Sequence, residues 1–424
     1  MKPKLTLILF FAISLNTALA QDRAAAQRDI NVLASDSFKG RGYIDGGDQI
    51  AAKYIADRFD KLGLKQLHGS YFQKFNLQVN TINKTELTID DKEMEAGRDY
   101  FVSPGSPSAS ISGEVFLVSE VILSSKKAVK KVKKAVRKGY VPVFLPFDKE
   151  NEQAKANMEE IKKCLKVDVF VHVVESYVWS VGRAEDETAM LYMIDSSFNE
   201  FSKSLMLTIE NELIPAYETQ NVMGYVEGTK YKDSFIIVCG HYDHLGKMGS
   251  ATFNGANDNA SGISMILDLA SYFSKNPQEC NILFIAFGAE EAGLVGSYYF
   301  VKNPEVGVRL DQIKFVFNLD LMGSGEDGAT IVNATVFEKY FETLAAINDE
   351  NQYLVKLKKR GKAANSDHYF FSEAGVPSFF IYLMGEYVHY HIPADRPENL
   401  ELSEAYDASF KLIRDFVIAI NDVN

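Results

Sequence analysis

The chain has 424 residues, with 45 Lys and Arg against 57 Asp and Glu and a formal charge of -12 at pH 7. That balance disfavours nucleic-acid backbones and anionic lipid surfaces as partners, because both require a positive patch. Cys164, Cys239 and Cys280 make an odd count, so no disulfide framework can use them all.

Residues 1–20 read as a secretory signal peptide: Lys2 and Lys4, an apolar run from Leu5 to Leu15, and small residues at Ala18-Leu19-Ala20. The run is shorter than the roughly 20 residues a spanning helix needs, so export with cleavage is expected, to a periplasm or the exterior, without stable membrane insertion. From Ala25 to Phe59 apolar residues fall at helical spacing in two stretches, separated by the turn-like Lys39-Gly40-Arg41-Gly42. Residues 78–206 read as a smaller inserted α+β module with short apolar runs at Glu114 to Val118 and Val141 to Leu145. Within it, Ser124 to Gly139 carries eight Lys or Arg around Ala128, Val129, Val132, Ala135 and Val136. This pattern is a helix with one apolar stripe and a solvated basic face.

From Asn221 onward strand, loop and helix alternate. Strands are predicted at Phe235 to Cys239, Ile282 to Phe287, Phe315 to Leu319 and Ser378 to Leu383, with helices from about Asn259 to Lys275 and from Ser403 to about Asn421. The expected fold class is α/β: a mostly parallel central sheet flanked by helices, built from residues 21–77 and 207–424. If their strands are parallel neighbours, Cys239 and Cys280 lie at opposite ends and stay unbridged.

Ligands of open parallel sheets bind beyond the carboxyl ends of the strands. Those ends deliver His241-Tyr242-Asp243-His244, Glu290-Glu291, Asp320 and, a little later, His391. Asp258 stands just ahead of a helix whose Ile263, Ile266, Leu267, Ala270 and Phe273 form one apolar face. Alone it reads as a cap; in this company it reads as a ligand. Acids and imidazoles gathered at one point lose hydration, and the carboxylates repel, so a divalent cation is needed to hold them. Imidazoles among carboxylates suit zinc better than calcium or magnesium. Two His and three carboxylates exceed what one catalytic zinc takes, so a shared carboxylate, two ions and a bridging water are expected.

Six stretches carry a resemblance: Cys239 to Gly246 (CGHYDHLG), Asn254 to Gly262 (NGANDNASG), Ala286 to Ser297 (AFGAEEAGLVGS), Leu319 to Gly323, Ser366-Asp367-His368, and Tyr390 to Asp395. In order and spacing the sequence resembles the di-zinc aminopeptidases of metallopeptidase family 28, a secreted group with an α/β fold. The likeness covers Ala25 to Leu77 and Asn221 to the end; between them, Gly139 to Leu145 is faintly similar to an inserted protease-associated domain. The resemblance implies one zinc at His241, Asp258 and Asp320 and another at Asp258, Glu291 and His391, with Asp258 as the bridge. It implies that Asp243 accepts the second ring proton of its histidine, that Glu290 is the general base, and that Tyr390 steadies the developing oxyanion. Peptides with a free amino terminus are the implied substrates. The sequence departs at Asn365, where some members place a substrate-holding Arg, and that leaves contacts in this loop open.

His244, His368 and His389 are given no metal role. Three other readings stand beside the aminopeptidase. A single-zinc glutaminyl cyclase would close amino-terminal Gln into a ring. A carboxypeptidase or dipeptidase would need a basic pocket for the substrate carboxylate. A non-catalytic peptide-binding protein should lack a ligand or the base, and none is lacking.

Overall fold

The four predicted apolar runs pair in parallel. In the computed structural model, which describes residues 23–304 and 307–421, the strands Ser378–Met384, Ile313–Leu319, Tyr231–His241 and Cys280–Phe287 lie side by side in that order. The predicted signal peptide lies outside the described residues. Every residue of Cys280–Phe287 is buried, so its sequence shows no polar alternation. The sheet grows antiparallel on both sides. Gly328–Val332 joins Ser378–Met384, with Leu357–Lys359 beyond it, and Ser204–Val226 joins Cys280–Phe287, with Phe72–Ile89 beyond it.

Alternate residues of each strand feed two cores. Ile236, Val238, Ile282 and Phe284 pack with the helices Arg23–Leu33, Gly47–Lys61, Gly262–Lys275 and Glu404–Asn421. Ile237, Cys239, Leu283 and Ile285 pack with Phe300 and Phe371, from the helices Val295–Lys302 and His368–Glu373. Cys239 stands opposite Ile285, far along the strand from Cys280, and all three cysteines are free. No helix of the described residues is long and apolar enough to cross a membrane.

The helix predicted from Asn259 begins at Gly262. Ahead of it, Ala256–Ser261 forms a wider turn in which Asp258 is extended and the Asp258–Asn259 bond is cis. The side chain of Asn259 holds that turn open, donating to the Leu319 carbonyl and accepting from the Gly262 N–H.

The inserted module pairs Ala109–Val118, Val141–Phe144, Val169–Val174 and Ala189–Ile194 in parallel, with Tyr100–Val102 antiparallel at the edge. Its basic helix, Ala128–Val136, buries Ala128, Val132 and Ala135 as the stripe predicts. The expected boundaries at 78 and 206 fall inside strands. Phe72–Ile89 and Ser204–Val226 pair from Phe72 opposite Val222 to Ile89 opposite Leu205, with bulges between Leu77 and Val79 and between Ile82 and Lys84. This ribbon leaves the main sheet, and its polar exposed face disguises it in the sequence. The module's core, including Val102, Val171, Trp179 and Leu191, runs on into Leu245, Met248, Ala251 and Phe253 of the other part of the chain.

Candidate active site

His241 ends its strand, Asp320 follows Leu319, and Glu290 and Glu291 follow Phe287, so three neighbouring strand ends supply four side chains. The open turn before Gly262 supplies Asp258, and the loop after Met384 supplies His391. His241 Nε2 lies 3.2 Å from Asp258 Oδ1 and 3.4 Å from Asp320 Oδ1. His391 Nε2 lies 3.1 Å from Asp258 Oδ2 and 3.3 Å from Glu291 Oε2. The two oxygens of one carboxylate therefore face two different imidazoles. These groups and Glu290 line a cavity of about 190 Å³, closed by Leu321, Arg360, Asn365, Phe380, Tyr382 and Tyr390. Tyr390 stacks on His391 with ring centroids 3.9 Å apart.

Charge in the cluster is balanced between acid and imidazole. Burial opposes the imidazolium of His241, but Asp320, Glu290 and Asp258 outweigh it and hold its pKa well above the usual value. For His391, burial is again outweighed, here by Glu291 and Asp258, and the pKa rises to about 11. Burial would raise Asp258, yet His241 and His391 hold it well below the ordinary carboxylate range. Glu291 is lowered to about 2, against burial, by His391 and His244. Glu290 is the exception: burial, with Glu291, Asp367 and Asp320 nearby, holds it well above its usual value in spite of His241.

A divalent cation supplies the same balance by taking the place of the imidazole protons. The donor set fits one. His241, Asp258 and Asp320 each offer an atom within 4.8 Å of the others, as do His244, Asp258 and Glu291. Imidazole nitrogen and carboxylate oxygen without thiolate is a donor chemistry that suits zinc.

The surroundings of the cluster depart from expectation at Asp243. His241 Nδ1 bonds the Asp243 backbone carbonyl at 3.0 Å, while the carboxylate stands 3.9 Å away. The buried Asp243 carboxylate instead accepts from the backbone N–H groups of Glu290 at 3.0 Å and Glu291 at 3.3 Å, so it holds the acidic pair. Asp320 is fixed by Ser366, whose hydroxyl donates to Oδ2 at 2.9 Å. His391 Nδ1 donates to the Trp179 carbonyl at 2.8 Å.

Three participants were not picked out in the sequence. His244, given no role there, is fully buried with Nδ1 2.8 Å from Glu291 Oε1; its place three residues after His241 in one turn was the available signal. Asp395 accepts from the backbone N–H groups of Asn257 and Asp258 at 2.8 and 3.1 Å and from the Tyr387 hydroxyl at 2.7 Å. Arg41, in the Lys39–Gly42 turn, donates to the carbonyls of Leu33, Tyr242, Asn254, Gly255 and Asp258. Gly255 leaves room for it: φ is +62°, and a Cβ there would lie 2.6 Å from Arg41 Nη2. Outside the cluster, His368 lies against Phe380 and His389 against Tyr387.

Residues 221–417, which include His241, Asp258, Glu290, Glu291, Asp320 and His391, match the profile of peptidase family M28. This stretch is a peptidase family M28 domain. Aminopeptidase YwaD of Bacillus subtilis is 32% identical over 202 residues, 43% of this chain and 40% of that protein. A vacuolar membrane protease of Candida glabrata is 21% identical over 243 residues, 56% of this chain and 23% of that protein. The match thus spans well under two thirds of either relative. Among solved structures, a zinc aminopeptidase from Bacillus subtilis superposes with a TM-score of 0.68 at 20% identity, covering 95% of both chains. An aminopeptidase from Aneurinibacillus sp. strain AM-1 does so with 0.62 at 19% identity, covering 94% of both. These neighbours share the fold across the inserted module as well as the M28 domain.

Proposed function

We propose that this protein is an exported zinc aminopeptidase that binds two metal ions and hydrolyses the amino-terminal bond of peptides. The observation that carries the reading is Asp258, whose two oxygens face His241 with Asp320 on one side and His391 with Glu291 on the other. His241, Asp258 and Asp320 would hold one zinc, and Asp258, Glu291 and His391 the other. When bound, the ions polarise the scissile carbonyl and acidify the attacking water.

The chain's own groups do the rest. Glu290, at the cavity wall, takes a proton from the attacking water and delivers it to the leaving amine. Asp243 keeps Glu290 and Glu291 at their posts through their backbone N–H groups. Tyr390, at the cavity wall, donates to the carbonyl oxygen as it gains charge. The cavity, at about 190 Å³, is smaller than most ligand pockets and suits the end of a chain more than its middle.

The test is hydrolysis of aminoacyl arylamides by the wild type and by Glu290→Gln. The variant is expected to lose roughly a hundredfold to ten-thousandfold in kcat while still taking up zinc. Conversion of amino-terminal Gln to a cyclic product without aminoacyl hydrolysis would move the protein to the cyclases.

One observation favours a second reading. Arg360 lines the cavity, where its guanidinium donates to the Tyr382 hydroxyl at 3.4 Å, and among the described residues no carboxylate pairs with it. It is the cation that a dipeptidase requires for the free carboxylate of a short substrate. A preference for Leu-Gly over Leu-Gly amide that disappears in Arg360→Gln supports the dipeptidase; equal turnover of both supports the general aminopeptidase.

A further inference from the structure

The His391 side chain is oriented from outside the M28 domain. Its Nδ1 meets the backbone carbonyl of Trp179, 212 positions earlier, at 2.8 Å. A carbonyl can only accept, so Nδ1 carries the proton and Nε2 is the atom aimed at Asp258 and Glu291. The backbone of His391 is itself in the left-handed region, at φ +54°, which few side-chain-bearing residues adopt. This ligand therefore depends on its neighbours for its aim.

Trp179 belongs to the inserted module and lies between its strands Val169–Val174 and Ala189–Ile194. It is 3% exposed and is locked in two ways. The indole N–H donates to the Val102 carbonyl at 2.8 Å, which ties it to the module's edge strand. The ring stacks on Phe253, with centroids 4.7 Å apart and planes at 15°. Phe253 ends the strand Ala251–Phe253 and leads directly into the turn that presents Asp258. One residue of the module thus touches the approach to Asp258 with its ring and fixes His391 with its carbonyl.

We propose that Trp179 is a positioning residue for the metal site at His391, so that the inserted module completes the catalytic centre. The proposal rests on reading His391 as a zinc ligand. Outer groups that hold a ligating imidazole by its second nitrogen set metal affinity, and their loss typically costs 10- to 100-fold. The carbonyl survives any substitution at Trp179; what a substitution removes is the lock that places it.

The experiment measures stepwise zinc affinity of the full chain by competition with a chromophoric chelator, which does not depend on turnover. Trp179→Ala is expected to weaken one zinc step by roughly ten- to a hundredfold and to leave the other within about twofold. Trp179→Phe keeps the stack but loses the bond to Val102, and should fall between; if the Ala variant does not fold, as judged by circular dichroism, the Phe variant decides. His391→Ala marks which step belongs to this ligand. Unchanged affinities in both Trp179 variants, or equal weakening of both steps, overturn the proposal. A His391→Ala variant that binds zinc like the wild type would overturn the reading beneath it instead.

Discussion

Arg41 is a fully buried cation whose five N–H donors all reach backbone carbonyls. Burial lowers its pKa to about 10, with Asp395, Asp258 and Asp243 opposing, so it stays charged at neutral pH. Through the carbonyls of Tyr242, Asn254, Gly255 and Asp258 it ties the turn after His241 to the turn that presents Asp258. Arg41→Met leaves those carbonyls unpaired in the interior and is expected to cost about 3–5 kcal/mol of stability in urea denaturation. Arg41→Lys, with a charge but a single point of attachment, should fall between. A Met variant as stable as the wild type would contradict the clamp. The convergence of His241, Asp258, Glu291, Asp320 and His391 was legible because each is a chemically distinctive side chain at or just beyond a strand end. Their supports were not. Trp179 and Asp243 hold the imidazoles through backbone carbonyls, and Arg41 bonds only backbone carbonyls, groups that every residue carries and that leave no mark in a sequence.

The first turn of the helix Gly47–Lys61 buries Asp48 against the strand Ser204–Val226. Its carboxylate accepts the Tyr217 hydroxyl at 2.6 Å and the Thr219 hydroxyl at 2.8 Å. Burial outweighs these bonds and raises the pKa from 3.8 to about 6. The folded state therefore holds this proton more tightly than the unfolded state. The stability Asp48 contributes is complete below the unfolded value and is lost as pH rises through the folded value, about 3 kcal/mol in all. Asp48→Asn should flatten the stability profile from about pH 4 to about pH 6, measured as the difference in urea midpoint between wild type and variant. A difference that does not change with pH would contradict the shift. At this scale the sequence showed buried strands and amphipathic helices well, since their apolar periodicity is strong. The predicted start near Asn259 falls in the wider turn that runs into the helix at Gly262, where the Asn259 side chain competes with the helical pattern. The sequence also drew module boundaries within two strands, because a ribbon with one polar face resembles a change of domain.

The molecule as a whole joins an M28 domain to a module that shares its hydrophobic core and reaches His391 in its cavity. The solved neighbours cover nearly the whole chain with the same fold, so the module is part of that architecture. The parallel sheet brings His241, Glu290, Glu291 and Asp320 to one edge, and the loops beyond it bring Asp258 and His391 to meet them. Whether Asp258 is shared between two metal ions is read from calorimetric titration of metal-stripped protein with zinc. Two zinc ions per chain are expected, with Asp258→Asn weakening both steps together because each ion would lose the same carboxylate. Saturation at one ion per chain, or an Asp258→Asn variant that loses only one of two steps, would contradict that sharing.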